Sequence, residues 1–335
     1  MKKKAAFFNE SARAGGRDML DHVYGKGRRQ RVAEMTDLYP AVISSRNLAD
    51  HAARLADLEV VFSTWGMPAL SAEQIGHLPS LKAVFYAAGS VRDFARPLLE
   101  GGILVVSASA ANAIPVAEFC LGQILLSCKG YFRNSRQRRS SAQEGIFVGP
   151  GAFGETVALI GAGQVARRLM TLLASVDLKV LAVDPYLSDG EVRALGARKV
   201  SMEEAFREAY VVSNHLPNLP TLAKVLDGRL FASMRPDATF INTGRGAQVN
   251  EAELIDVLKR RPDLTALLDV TDPEPCKPGS DLFELPNVQV SSHIAGSLND
   301  EVVRMADFVI EEFQRWQAGL PLRYAVSLDM LETLA

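Results

Sequence analysis

Cysteine is scarce in this sequence. Cys120, Cys128 and Cys276 are an odd and sparse set without a C-x-x-C pair, which argues against a disulfide scaffold or a zinc site and fits a reducing cytoplasm. An excess of charge of one sign is also missing. The 37 Lys and Arg against 39 Asp and Glu leave a net charge of −2, so nothing calls for nucleic acid or an anionic membrane as a partner. The longest apolar stretch, Val116 to Cys128, is too short to span a bilayer and contains Glu118, so it reads as a buried helix. The start Met1-Lys-Lys-Lys-Ala-Ala-Phe-Phe is basic, but its apolar run breaks at Asn9, too early for a signal peptide. No low-complexity segment occurs, and no internal repeat beyond two α/β halves. With 48% hydrophobic and 23% charged residues, the composition is that of a soluble globular protein. Its 335 residues exceed what one hydrophobic core usually serves, so two domains are expected.

What is present is a dinucleotide pattern. Val157 to Ile160 is an apolar, β-branched run suited to a buried strand, and Gly161-Ala-Gly163-Gln164-Val165-Ala166 follows it. Gly161 permits a tight turn, Gly163 lets backbone approach a pyrophosphate, and Ala166 is small enough for close packing of helix on strand. The helix begins at Gln164 and Val165 and offers its N–H groups and positive dipole end to phosphates. A second apolar run, Val180 to Val183, ends at Asp184. That acid lies about 20 residues past the glycines, where a carboxylate accepts ribose hydroxyls and repels a 2′-phosphate. The pattern favours NAD over NADP.

The rest of the chain alternates strands and helices. Ala5–Phe8, Ala41–Ser44, Val60–Ser63, Ala83–Tyr86 and Leu104–Ser107 read as strands of a small parallel α/β unit. Ligands in such sheets bind beyond the carboxyl ends of strands. This singles out Trp65 and Met67 in one loop, and Ala88, Gly89 and Ser90, lean enough to expose N–H groups to an anion, in the next. Asn112 reads as the cap of a helix with Pro115 in its first turn, continuing to about Arg139. Its basic end, Lys129, Arg133, Arg136, Arg138 and Arg139, is either a solvated helix terminus or a grip on an acidic substrate, and Gly145 to Gly154 forms a glycine-rich loop after it. Val211–Ser213, Thr239–Asn242, Ala266–Val270 and Val288–Ser291 bring the strands of the second half to six, the number a doubly wound dinucleotide domain needs. The segment from about Asp300 to Gly319 has a helical apolar stripe, read as core packing.

Three charged groups follow the last strands: Arg245 in Asn242-Thr-Gly-Arg-Gly246, Glu274 after Asp269-Val-Thr-Asp-Pro, and His293 in His293-Ile-Ala-Gly296. Hydride transfer to a carbonyl carbon needs a proton donor, a group that tunes it, and a cation that fixes the substrate. His293 suits the first role, Glu274 the second and Arg245 the third. Each has a plainer reading as a surface or structural residue. Asp269 is a candidate for the cofactor carboxamide and Pro217 for the loop under the adenosine, or both are loop formers.

Together these segments resemble the D-isomer-specific, NAD-dependent 2-hydroxyacid dehydrogenase family. The markers are Ala87-Ala-Gly-Ser90, Asn112 with Val116-Ala-Glu118, Gly161 to Ala166, Asp184, His215-Leu-Pro217, Asn242 to Gly246, Asp269-Val with Glu274-Pro275, and His293 to Gly296. The resemblance implies Arg245 on the substrate carboxylate and carbonyl, His293 as acid/base, and Glu274 paired with it. It places His215, Pro217, Thr243, Asp269, His293 and Gly296 with the glycine turn around NAD, and Trp65, Ala88, Gly89 and Ser90 around a 2-hydroxy or 2-oxo acid. It also implies two doubly wound, Rossmann-like or flavodoxin-like lobes with a cleft between them. One is a discontinuous substrate domain from residues 1–109 and 299–335, the other an NAD domain from 110–298, in a cytoplasmic homodimer. Thr271-Asp272 departs from the family's frequent aromatic, and Glu rather than Gln at 274 weighs against a formate dehydrogenase. Two rivals follow from the same pattern: an NAD(H)-sensing, corepressor-like binding protein without turnover, and hydride transfer from phosphite or another non-carbon donor.

Overall fold

The structure is a computed structural model that describes residues 2–10, 13–14, 17–140 and 147–332. The chain folds as two compact units, Met1–Asn112 with Ser297–Ala335, and Ala113–Gly296.

The sheet of the first unit runs Ala325–Val326, Leu104–Ser107, Ala83–Tyr86, Val60–Ser63, Lys3–Phe8, Thr36–Leu38. All neighbours are parallel except the antiparallel edge strand Ala325–Val326. Numbered along the chain, the parallel strands lie in the order 2-1-3-4-5, the flavodoxin-like winding, with its switch point between Lys3–Phe8 and Val60–Ser63. The central strands are buried at every position, as a sheet covered on both faces requires. Phe62 stacks on Phe85, and both meet Phe313 edge-on. Phe313 belongs to the helix Val303–Gln317, whose stripe Met305, Ala306, Val309, Ile310 and Phe313 is buried. On the same helix the wholly buried Glu312 accepts the N–H groups of Arg323 and Tyr324 and the Arg323 guanidinium, which directs the returning chain into the edge strand.

The expected strand Ala41–Ser44 is not there. Only Ile43 bridges Phe8, and the second strand is Thr36–Leu38. The Pro40 to Asn47 segment turns instead, with Asn47 Oδ1 accepting the Ser44 N–H.

The sheet of the second unit runs Ala197–Lys199, Lys179–Val183, Thr156–Ile160, Val211–Asn214, Thr239–Asn242, Thr265–Leu268, Val288–Val290, all parallel. The chain order is 3-2-1-4-5-6-7, the Rossmann winding plus one strand. The strand beyond that winding is Val288–Val290 at one edge; the strand not expected from sequence is Ala197–Lys199 at the other, too short and too charged to stand out by composition. The switch point falls between Thr156–Ile160 and Val211–Asn214. Both faces are covered, one by a core around Phe206, Phe231 and Phe240, the other around Val116, Cys120, Ile124, Leu169 and Tyr210.

The expected helix from Ala113 to Arg139 is two. Ser109–Cys128 ends at Gly130, which takes φ +70°, and Tyr131–Ser140 starts afresh. The first of them, at 20 residues, is long and apolar enough to cross a membrane, longer than the apolar run suggested. Its Val116, Ala117, Cys120, Ile124 and Cys128 nevertheless lie in the core of the second unit. Asn112 is not a cap. It sits inside the helix, and its Oδ1 accepts the Ser297 N–H at 3.0 Å.

Candidate active site

In the second unit the strand Thr156–Ile160 runs into Gly161, which has φ +93°. An added Cβ there would lie 2.9 Å from the His215 carbonyl oxygen, so only glycine fits. Around Gly163 nothing lies within 4 Å of a would-be Cβ. The open space in front of the helix Gln164–Leu173 is what a pyrophosphate needs, and the helix's first-turn N–H groups have no intrahelical acceptor. Ala166 is fully buried. Asp184 follows its strand and has a second duty. Its Oδ2 accepts the Ala162 N–H at 3.0 Å and Oδ1 those of Tyr186 and Leu187, which ties the phosphate turn to the ribose end. A carboxylate retains lone pairs beyond these three bonds, so ribose hydroxyls can still be accepted. The exposed Tyr186, two residues on, adjoins this position and escaped the sequence reading. These residues fit a dinucleotide.

Arg245, Glu274 and His293 follow three strands adjacent in the sheet: Thr239–Asn242, Thr265–Leu268 and Val288–Val290. Their loops are held by different means. The Arg245 loop rests on three buried amides. Asn214 Nδ2 donates to Asn242 Oδ1 (3.0 Å) and Gln248 Oε1 (2.6 Å). Gln248 Nε2 donates to the carbonyls of Leu216 and Pro217, while Gln248 Oε1 accepts the Arg245 N–H. The network joins the His215–Pro217 loop to the Arg245 loop, and buried amides are satisfied only when every member is present. Gly246 is pressed so closely on the next loop that a Cβ would lie 2.0 Å from the Thr271 carbonyl carbon. Arg245 is half-buried and donates through Nη1 to the Gly244 carbonyl, and no carboxylate pairs with it among the described residues.

His293 Nδ1 is hydrogen-bonded to Glu274 Oε1. Both side chains remain partly open, 45% and 39% exposed, so substrate can reach the ring. His293 has φ +58°, a conformation uncommon for a residue with a Cβ. Asp269 holds it there. The Asp269 carbonyl accepts the His293 N–H, Oδ1 accepts the Ile294 N–H and the Ser291 hydroxyl, and Oδ2 accepts the Ala295 N–H. The buried Asp269 carboxylate accepts all three of these bonds within its own unit.

Two further groups line the strand ends. The His215 ring meets Ser213 Oγ at 2.9 Å, and burial lowers its pKa to about 4, so it is neutral at pH 7. Cys120 Sγ lies 3.3 Å from Thr243 Oγ1, and burial raises its pKa to about 11, so it stays a thiol. Pro217 and Gly296 are half-buried in their loops.

In the first unit Trp65 is half-buried against that unit's own core, its carbonyl accepting Asn9 Nδ2 at 2.8 Å. Ala88, Gly89 and Ser90 follow the strand Ala83–Tyr86. The carbonyls of Ala88 and Gly89 accept Ser107 Oγ at 3.1 and 2.6 Å. Among the described residues, no acceptor takes the N–H groups of Ala88, Gly89, Ser90 or Val91.

The basic helix end turns to other work. Arg133 pairs with Asp237 and lies over the Phe147 ring, and Arg136 donates to the Pro286 carbonyl, all within the second unit. The side chains of Arg138 and Arg139, and residues 145 and 146 of the glycine-rich loop, lie outside the described residues.

A flavodoxin-like unit and a Rossmann unit with a Gly-x-Gly turn and a histidine–glutamate pair define a dinucleotide-dependent protein with acid/base capacity. Comparison with known families makes the class specific. The model for "D-isomer specific 2-hydroxyacid dehydrogenase, NAD binding domain" matches residues 121–295, and the chain belongs to that family and carries its NAD-binding domain. Among curated proteins, a D-3-phosphoglycerate dehydrogenase of Archaeoglobus fulgidus is 29% identical over 236 residues, covering 69% of this chain and 44% of that one. The match thus spans under half of that relative's length. Among solved structures, a phosphoglycerate oxidoreductase from Rhizobium etli superposes with TM-score 0.81 at 21% identity, covering 97% of this chain and 98% of the other. D-mandelate dehydrogenase from Rhodotorula graminis superposes with TM-score 0.77 at 21% identity, covering 98% of each chain.

Proposed function

We propose that the protein is an NAD-dependent oxidoreductase that interconverts a 2-oxo acid and the corresponding D-2-hydroxy acid. The observation that carries this is the Glu274–His293 pair, standing on a turn that the Asp269 carboxylate and carbonyl hold in place. Held by the Gly161–Ala166 turn and Asp184, NAD would supply or take up the hydride at C2 when bound. In the reducing direction the imidazolium of His293 gives its Nε2 proton to the carbonyl oxygen, which becomes the hydroxyl oxygen of the product. In the oxidising direction neutral Nε2 takes the proton back. Glu274, on Nδ1, stabilises the imidazolium and sets the ring so that Nε2 is the working atom. Arg245, a guanidinium without a carboxylate partner among the described residues, is suited to the substrate carboxylate or its carbonyl oxygen. The unpaired N–H groups of Ala88 to Val91 offer the first unit's own cradle for an anion. A homodimer is part of this reading, supported by the apolar Leu126 and Tyr131 that the second unit leaves 41% and 52% exposed; sedimentation would report it.

The test is a panel of 2-oxo acids with NADH, followed at the cofactor absorbance. We expect turnover of at least one member, a kcat lowered roughly 100- to 10,000-fold in His293→Ala, and a raised KM with a lowered kcat in Arg245→Ala. Tight NADH binding with no turnover of any member would replace this reading with that of a nucleotide-sensing protein. An unchanged kcat in His293→Ala would remove the histidine from its role.

A further inference from the structure

Two separate paths of contact lead from Gly89 to the start of the helical stretch Asn299–Gln317, and both end on polar atoms that lack a partner. On the first path, Ser107 Oγ donates to the Gly89 carbonyl at 2.6 Å, and the Ser107 N–H donates to the Tyr324 carbonyl at 3.1 Å. The Tyr324 ring stacks on Phe308 with centroids 5.3 Å apart. One turn before Phe308, on the same face of the helix, stands Arg304. On the second path, Asn112 Nδ2 lies 3.8 Å from where a Gly89 Cβ would be, and Asn112 Oδ1 accepts the Ser297 N–H at 3.0 Å. Ser297 is 9% exposed. Its Oγ and Nη1 of Arg304 are both shut off from solvent, and neither has a hydrogen-bond partner among the described residues.

Ser297 and Arg304 both belong to the first unit, as does the Ala88–Val91 loop with its unpaired N–H groups. Arg304 lies one turn into the helical stretch Asn299–Gln317, whose first turn already carries the acidic Asp300 and Glu301. No carboxylate of the described residues pairs with it. Arg304 as a whole is only partly buried, and its charge is not sealed in the core; an anion would give its closed-off Nη1, and the unpaired amides, the acceptor they lack. Other arginines of the same unit, such as Arg28, Arg31 and Arg96, have found carboxylates.

We infer that Arg304 is a substrate-binding residue. With the N–H groups of Ala88 to Val91 and the Ser297 hydroxyl, it forms one carboxylate cradle in the first unit, which receives the C1 carboxylate of the 2-oxo acid. The inference rests on the functional reading above, but its test does not need turnover. Oxalate, a planar dianion that mimics a 2-oxo acid, is titrated calorimetrically into the NADH-saturated protein and into Arg304→Met, Arg304→Lys and Ser297→Ala. We expect Arg304→Met to weaken oxalate binding at least tenfold, Arg304→Lys to restore part of it, and Ser297→Ala to lose a few-fold. In each, NADH affinity and melting temperature should stay near those of the parent. With a turned-over 2-oxo acid, Arg304→Met should raise KM by a similar factor and alter kcat less. Oxalate binding unchanged in Arg304→Met overturns the inference, as does a joint fall of oxalate affinity, NADH affinity and melting temperature, the mark of a residue that only supports the fold. Arg304-dependent oxalate binding by a protein that reduces no 2-oxo acid would keep the cradle and sink the oxidoreductase reading. Turnover that is indifferent to Arg304 would do the reverse.

Discussion

The Ala295 N–H donates to Oδ2 of Asp269 at 2.8 Å, and through that bond a buried carboxylate grips the turn carrying His293 from beneath. Ile294 and Ser291 bind the other oxygen, and the Asp269 carbonyl takes the His293 N–H. A left-handed histidine persists only where its surroundings over-determine it, and here one residue supplies four of the constraints.

Asp269→Asn should therefore act through position. It preserves shape but turns an acceptor into a donor that faces backbone N–H groups, so the turn must shift. Outer-shell partners of this kind cost on the order of 10- to 100-fold when removed, and we expect that loss in kcat by steady-state kinetics. Equal kcat in variant and parent would mean that the turn holds itself.

Two glycines should separate stability from binding. Gly246→Ala drives a methyl group to 2.0 Å from the Thr271 carbonyl carbon. Overpacking of this kind costs about 1–3 kcal/mol, visible in urea denaturation, and the displaced Arg245 loop should raise the substrate KM.

Gly163→Ala meets open space, with φ −71° that any residue accepts. Stability should stay within about 0.5 kcal/mol of the parent. NADH affinity, read by fluorescence titration, should fall at least tenfold, because the methyl group occupies the approach of the pyrophosphate. Retained affinity would place the pyrophosphate elsewhere.

His215 links pH to stability. Burial lowers its pKa from 6.5 to about 4, so between those values the unfolded chain takes up a proton that the folded chain refuses. Stability from this group is full above pH 6.5 and drains away as pH falls towards 4, by up to roughly 3 kcal/mol. His215→Gln should flatten the fall in unfolding free energy between pH 7 and pH 4.5. A variant with the same slope as the parent would assign the acid sensitivity to other groups.

Asp184→Asn should weaken NADH by about tenfold through the ribose. It should also lower the melting temperature, since the carboxylate fastens the Ala162 N–H. A change in NADH affinity without any change in melting temperature would show that the second duty carries no weight.

Much of this arrangement was legible in advance. Val60–Ser63, Ala83–Tyr86, Leu104–Ser107 and Thr239–Asn242 coincide with their expected spans, because a strand buried on both faces must be apolar at consecutive positions. Thr36–Leu38 and Ala197–Lys199 were not legible. They are edge strands of three residues, half-exposed, and their pairing rests on a neighbour rather than on their own side chains. The break at Gly130 was passed over because apolar residues resume beyond it at Phe132. Asn214 and Gln248 gave no signal either: an amide in a strand end or a loop reads as polar and unremarked until the two are found 2.6 Å apart.

The order of residues along this chain determined what depends on near neighbours: which runs extend, which helix follows a glycine turn, and where an arginine, a glutamate and a histidine leave their strands. Tertiary structure alone decided which distant groups satisfy one another. Asp184, expected as a ribose acceptor, is a clasp on the Ala162 N–H, Asp269 a fastening for His293, and Arg133 a partner of Asp237. Nη1 of Arg304 and Oγ of Ser297 were left without a partner among the described residues. The physical reason is that periodicity reports burial and local conformation, both set within a few residues. A hydrogen bond or an ion pair is settled by two groups meeting in space, and the distance between them in sequence leaves no trace in either.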